Sequence, residues 1–142
     1  MSIKFIQEEI IEEFGLLEGD MEMSINYLIE LGEQLEAFPK IKRTDDFIVK
    51  GCQSKVWLFA ELNENQVYFR ADSNTLITKG LVSLLVRVLS SHSPEEILND
   101  EIYFPEKIGM GRFIGSQRSN GFYAMIKQMK LYALALHLKQ KI

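Results

Sequence analysis

Residues 75–91 limit the fold of this chain more than any other stretch. They predict a helix on which apolar side chains occupy most of the circumference. The apolar positions are Leu76, Ile77, Leu81, Val82, Leu84, Leu85, Val86, Val88 and Leu89. Because a helix that is apolar nearly all round has to be buried, we expect this one to lie at the centre of the core, against a sheet.

The sheet is predicted by the residues that precede this helix. Side chains alternate along residues 55–62 and again along residues 66–72, which is the pattern of two strands. Residues 63–65 between them, Asn-Glu-Asn, suit a tight reversal and make the pair an antiparallel hairpin. Residues 47–49 predict a further short strand, so we expect about three strands in all.

Three aromatic side chains, Trp57, Phe59 and Tyr68, fall on the face of the hairpin opposite its aliphatic side chains. Two interpretations are open. The aromatic side chains pack under a helix from the end of the chain, which we favour, or they form a contact surface for another protein.

Further helices are predicted before and after the hairpin. Their ranges are 3–14, 21–35, 93–99 and 116–139. The third of them begins with a capping box formed by Ser93 and Glu96, with Pro94 at the first helical position. Residues 103–115 give no clear assignment. A length of 142 residues is that of one domain, so we expect a single α+β domain over residues 1–142.

The charge distribution is uneven but does not indicate a nucleic-acid partner. The formal net charge is -4, with ten carboxylates and one lysine in residues 1–36. From Arg118 to the end there are one arginine, four lysines and no carboxylate. Nucleic-acid binding needs a concentrated basic face. A helix with cations toward its negative end is the simpler explanation of the basic segment.

Nothing in the sequence indicates a membrane or a secretory route. Residues 1–7 lack the basic and apolar regions of a signal peptide. No apolar run reaches the roughly 18 residues that a membrane-spanning helix needs. We therefore expect a cytoplasmic protein with no membrane partner, in a compartment that keeps thiols reduced.

Cys52 is the only cysteine, and it lies in a loop directly before the hairpin. Gly51 precedes it and frees the backbone to turn, while Lys50 and Lys55 flank it. Nearby ammonium groups favour the thiolate and predict a lowered thiol pKa. Against this, free cysteines are among the most buried residues and often serve as small apolar side chains. Both interpretations remain open on this pattern alone.

Several kinds of cysteine chemistry are excluded or disfavoured. One cysteine cannot form an internal disulfide, and with only His92 and His137 beside it a zinc site is effectively excluded. A cysteine hydrolase needs a histidine base, and neither histidine lies on an obvious loop facing Cys52. A thiol peroxidase usually has a resolving cysteine, which is absent. What remains is a thiol that receives a group and passes it on.

Several motifs in this chain resemble those of the SufE-type sulfur acceptors. The first is Gly-Cys-Gln-Ser-Lys-Val-Trp-Leu at 51–58. Similar stretches follow, in the family's order, at 70–73, 80–81, 93–98 and 118–121 with 124–125, and the resemblance reaches back to 27–32. The resemblance implies a small antiparallel sheet with helices packed mainly on one side, as in SufE and IscU-like scaffolds.

The resemblance also implies a function. Cys52 would take sulfur from the persulfide of a pyridoxal-phosphate cysteine desulfurase of the SufS kind and carry it to a scaffold containing SufB. The protein would stimulate its desulfurase without an independent catalytic cycle, and it would hold neither a cofactor nor a metal itself. Gly51, Gln53 and Ser54 would support the thiol, and Arg118 would contact the desulfurase.

The chain departs from the family pattern at two places. The family commonly has Asp-Ser-Asp where this chain has 72–74, Asp-Ser-Asn, so Asn74 stands at a position expected to steady the loop or bind the partner. The family's Ser/Thr-Pro-Ser-Arg is here 115–118, Gly-Ser-Gln-Arg, which keeps Arg118 but not the proline.

A persulfide needs protection from solvent. We therefore expect Cys52 to be partly sheltered in the free protein, beside Val49, Val56 and Trp57, and to swing out on docking. Two other functions stay open at this point: a cysteine-dependent enzyme acting on a small molecule, and a binding module in which the cysteine is incidental.

Overall fold

The computed structural model describes residues 1–140 as a two-stranded sheet with helices around it. The helices and strands are, in order, α1 (Ile3–Gly15), α2 (Met21–Glu33), β1 (Val56–Asn63), β2 (Gln66–Ser73), α3 (Leu76–Leu89), α4 (Pro94–Asn99), α5 (Phe104–Lys107), α6 (Met110–Ile114) and α7 (Ser116–Gln140). Two 3-10 turns, Lys40–Lys42 and Asp45–Phe47, lie between α2 and β1. The α+β class is confirmed. Within residues 1–140, no helix is long and apolar enough to cross a membrane.

The predicted hairpin is confirmed. β1 and β2 pair antiparallel, from Val56 opposite Ser73 to Asn63 opposite Gln66. The two residues of the turn, Glu64 and Asn65, have φ angles of 51° and 64°. Two successive left-handed residues give the turn a twist that matches the strands it joins.

The third strand does not form. Part of its predicted range belongs to the turn Asp45–Phe47, and only a single bridge joins Ile48 to Trp57, with the Val49 amide donating to Val56 O at 2.8 Å. The chain then leaves the edge of β1 at Gly51, whose φ of +95° turns the backbone away. A strand cannot continue through that conformation, so the sheet has two strands and not three.

The aromatic face of the hairpin is covered, but not as predicted. Trp57 and Phe59 are buried, and Tyr68 is 37% exposed. The ring of Phe38 meets Phe59 edge-on at 5.4 Å, and the Arg43 guanidinium lies 4.4 Å above the Trp57 ring. The segment between α2 and β1 therefore supplies the contacts that we had expected from the terminal helix.

The central position of α3 is confirmed. Most of its side chains are buried, and it packs on both α2 and β2. The closest approach is at Gly80, where a Cβ would lie 2.8 Å from the carbonyl carbon and from Cγ of Leu28. Because only hydrogen fits there, the α2–α3 distance depends on this glycine.

The elements after α3 close the core. The capping box of Ser93 and Glu96 is present at the start of α4. Residues 103–115, which the sequence left unassigned, form the short helices α5 and α6. In α7, the Tyr132 hydroxyl donates to Leu58 O at 2.9 Å. That carbonyl points away from β2, so α7 caps the open edge of β1.

A partly buried ion pair ties α1 to α3. Arg87 donates two hydrogen bonds to the Glu13 carboxylate, at 2.9 and 2.5 Å, and Tyr27 of α2 donates a third. The bonds from Arg87 lower the pKa of Glu13, and burial together with Glu13 raises the pKa of Tyr27 to about 12. Three helices therefore share one carboxylate.

Replacing Gly80 with alanine is expected to destabilise the fold by about 3 kcal/mol, because the added methyl group forces α2 away from α3. Urea unfolding of Gly80→Ala measures this loss. The control is Gly15→Ala, since a Cβ there meets nothing within 4 Å. It should be neutral or slightly stabilising. Equal stability of the two variants would contradict the packing described.

Candidate functional site

Cys52 lies in the loop that joins residues 48–49 to β1. This loop packs against α7. Gly51 is required there for two reasons. Its φ of +95° is left-handed, and a Cβ at this position would come within 3.1 Å of the Ala124 side chain. The loop can therefore sit on α7 only with a glycine before the cysteine.

The thiol of Cys52 is half-buried and points at α7. Its Sγ lies 3.4 Å from the carbonyl oxygen of Gly121, so the S–H group donates to that oxygen. A Cβ at residue 121 would also lie 3.4 Å from Sγ. The predicted shelter of Cys52 in the free protein is therefore confirmed, and α7 provides it.

This position changes the expected acidity of the thiol. Burial raises the pKa of Cys52 above its ordinary value. The expectation of a lowered pKa from Lys50 and Lys55 was wrong for this conformation, because both lysines are exposed while the sulfur is half-buried. A thiolate would also face the lone pairs of the Gly121 carbonyl in place of its present acceptor. The sheltered thiol is thus held neutral.

Hydrogen bonds to the start of α3 hold the far end of the loop. The hydroxyls of Thr75 and Thr78 donate to Ser54 Oγ, at 3.0 and 3.3 Å. The backbone N–H of Lys55 donates to the side-chain oxygen Oδ1 of Asn74 at 3.0 Å. The backbone N–H of Asn74 donates to Lys55 O at 3.2 Å. Asn74 therefore fastens the base of the loop, and its amide oxygen serves where a carboxylate oxygen could.

A cavity of about 420 Å³ opens beside the sulfur. It is lined by Cys52, Gln53, Ser54, Thr78, Leu81, Ile114, Gly115, Ser116, Gln117, Arg118, Gly121 and Met125. The structure thus brings Arg118, from α7, to the same cavity as Cys52, Gln53 and Ser54. Arg118 donates from Nη1 to Ile114 O at 3.1 Å. Asn74 is not part of the lining, and Gly51 acts through the backbone.

Sequence reasoning missed the contribution of α7 and of the two threonines. Gly121 lies within a helix, where glycine costs about 1 kcal/mol relative to alanine, so such a glycine usually has a packing or functional reason. That signal could have identified its contact with Cys52. Thr75 and Thr78 gave no comparable signal, because their role depends on how the loop meets α3.

Neither histidine reaches the cavity. His92 is buried in the connection between α3 and α4, where its Nε2 lies 2.8 Å from Met1 O, and His137 lies near the end of α7. Among the described residues, no group of three or more metal-ligating side chains comes together. The lining contains a single thiol, Cys52, and a single cation, Arg118.

Comparison with known proteins identifies the family of this chain. The family model described as SufE, Fe-S metabolism associated domain, matches residues 8–133. An uncharacterized SufE-like protein of Rhizobium meliloti is 33% identical over 128 residues, covering 87% of this chain and 91% of the relative. The cysteine desulfuration protein SufE of Wigglesworthia glossinidia brevipalpis is 32% identical over 143 residues, covering 98% of each.

The fold is shared with a solved protein. The solution structure of a hypothetical protein from Thermus thermophilus superposes with a TM-score of 0.75 at 20% identity, over 92% of this chain and 94% of that one. This likeness shows that the two proteins share a fold. The chain belongs to the SufE family, which gives it a sulfur-transfer role in iron–sulfur metabolism.

The pKa of the Cys52 thiol is expected to be higher in the native protein than in the urea-unfolded protein. The pH dependence of alkylation by iodoacetamide measures both values. Since the folded-state pKa is the raised one, the stabilising effect of this group is complete below the unfolded-state pKa and is lost as the pH rises through the folded-state pKa. A native pKa at or below the unfolded one would contradict the sheltered geometry.

Replacing Asn74 with alanine is expected to make Cys52 more accessible. The variant removes the acceptor for the Lys55 amide, a bond worth about 1 kcal/mol, so the loop opens about fivefold more often. Alkylation of Cys52 at fixed pH should accelerate by that factor. Asn26→Ala, on an exposed position of α2, is the matched control. Equal rates in the two variants would show that Asn74 does not hold the loop.

Proposed function

We propose that this protein accepts sulfur on Cys52 from a cysteine desulfurase and carries it to an iron–sulfur cluster scaffold. The observation that supports this most is the lone thiol of Cys52, sheltered in a cavity whose lining contains no base. Without a neighbouring base, such a thiol is poorly suited to a catalytic cycle of its own. It is better suited to carry a group that one protein attaches and another removes.

The transfer step is a thiol exchange. The Cys52 thiolate attacks the terminal sulfur of the desulfurase persulfide, and a new S–S bond forms at Cys52. The S–S bond of the donor breaks, and the donor cysteine leaves as a thiolate. The sulfane sulfur keeps its oxidation state, so no external oxidant or reductant is consumed. Pyridoxal phosphate belongs to the desulfurase, and Cys52 requires no cofactor.

Loading requires the thiol to leave its shelter. In the closed position the S–H donates to the Gly121 carbonyl and the sulfur is held neutral. Docking would move the loop about Gly51 and place Cys52 in a more polar environment, where the thiolate forms more readily. After the transfer, return to the cavity would shield the persulfide from solvent.

The remaining residues of the site receive roles from their positions. Ser54 bonds to the start of α3, and Gln53 lines the cavity beside it. Both would support the loop. Arg118, exposed at the cavity, would contact the desulfurase. Asn74 would keep the base of the loop fixed while its tip moves, and it would meet the partner at the same face.

We also propose the two partners of this transfer. The donor would be a SufS-like desulfurase, which this protein stimulates by removing its persulfide, and the receiver would be a scaffold containing SufB. This protein would have no catalytic cycle of its own. We place the transfer in the cytoplasm, where a lone thiol is kept reduced.

Incubation with a SufS-like desulfurase and L-cysteine is expected to add the mass of one sulfur atom to this protein, because Cys52 takes up the donor's sulfane sulfur. Intact-protein mass spectrometry measures the adduct, and reduction should remove it. Cys52→Ser should gain no sulfur and should not raise desulfurase turnover. No adduct on the wild type, or an equal adduct on Cys52→Ser, would overturn the proposal.

A further inference from the structure

The charges around the Cys52 cavity differ in sign from those of the protein as a whole. Three segments contribute residues to its lining: 49–55, 74–79 and 114–121. Together they contain four cations, at Lys50, Lys55, Lys79 and Arg118, and no carboxylate. The protein carries a formal net charge of -4. A local basic face on an acidic protein is a feature that can orient a charged partner.

The carboxylate nearest to these segments in the sequence does not cancel their charge. Asp72 is next to the segment 74–79, and its oxygens lie 2.9 Å from Arg43 Nη2 and 3.6 Å from Lys79 Nζ. It is therefore already paired with two cations. Lys50 and Lys55 are exposed, and neither forms an ion pair with any residue between 1 and 140.

An exposed apolar side chain lies near the Cys52 loop. Leu76, the first residue of α3, is 61% exposed. It follows Thr75, whose hydroxyl bonds to Ser54, so it lies close to the loop that carries Cys52. An apolar centre with a charged surround is the usual composition of a protein docking surface. We call Leu76, Lys50, Lys55 and Arg118 the rim.

We propose that the rim docks an acidic protein surface, with Leu76 entering an apolar depression beside the donor's persulfide. This inference rests on the proposed function and adds the chemistry of the partner. Carboxylates on the donor would meet the lysines and Arg118, which sets the orientation of approach. Leu76 would supply the buried contact that slows dissociation.

The test measures the second-order rate of sulfur transfer from a SufS-like desulfurase to Cys52 at increasing sodium chloride. The wild-type rate should fall several-fold, because salt screens the rim. Lys55→Glu should lower the low-salt rate about tenfold and weaken its salt dependence. Leu76→Ala should weaken binding of the desulfurase about tenfold and leave the salt dependence unchanged.

Matched controls come from the far end of α7, about 27 Å along the helix from Gly121. Lys139→Glu and Leu138→Ala change the same residue types at exposed positions there. Both should transfer sulfur at the wild-type rate. Alkylation of Cys52 by iodoacetamide in every variant checks that the thiol itself is unaltered.

The outcomes separate this inference from the proposed function. Transfer to wild type that is insensitive to salt and to both rim variants would overturn the inference and leave the function standing. Absence of transfer to wild type would overturn both. Self-association of the wild type that is lost in Leu76→Ala would assign the rim to a second copy of this chain and contradict a donor surface.

Discussion

The close contact between α2 and α3 at Gly80 is the constraint on which the site depends. It seats α3 in the core, and the start of α3 in turn carries the residues that hold the Cys52 loop. Thr75 and Thr78 bond to Ser54, and Asn74 just before the helix bonds to the backbone of Lys55. The reactive loop has little regular structure of its own. Its geometry is fixed by hydrogen bonds to the start of the buried helix α3. The loop can therefore position the thiol although it has only one strand beside it.

The other wall of the site is α7, and it determines the state of the sulfur. The Gly121 carbonyl accepts the S–H bond, and the close packing of the loop on this helix leaves the sulfur half-buried. A neutral thiol suits this wall and a thiolate does not, so shelter and ionisation oppose each other. The free protein therefore holds Cys52 as a neutral, half-buried thiol. Exposure of the loop to a more polar environment would favour the thiolate, so activation of the thiol would not require a base from this chain.

Much of the fold could be predicted from the sequence. Apolar residues around most of α3 predicted a buried helix, and the alternation along residues 55–72 predicted the hairpin. Each pattern is a local periodicity that follows from burial. The prediction of a third strand was wrong, since a three-residue pattern cannot show that Gly51 turns the chain away. The prediction of a lowered thiol pKa for Cys52 was wrong for a related reason. Sequence neighbours such as Lys50 suggested a nearby charge, whereas the environment of the sulfur is set by Gly121, far away in the chain.

We propose that docking converts Cys52 from a sheltered neutral thiol into an exposed reactive one. The most direct test is an NMR titration of the Cys52 Cβ resonance with pH, in the free protein and in complex with a SufS-like desulfurase that lacks its own persulfide-forming cysteine. We expect a raised thiol pKa in the free protein and a clearly lower one in the complex. The same pKa in both states would contradict it.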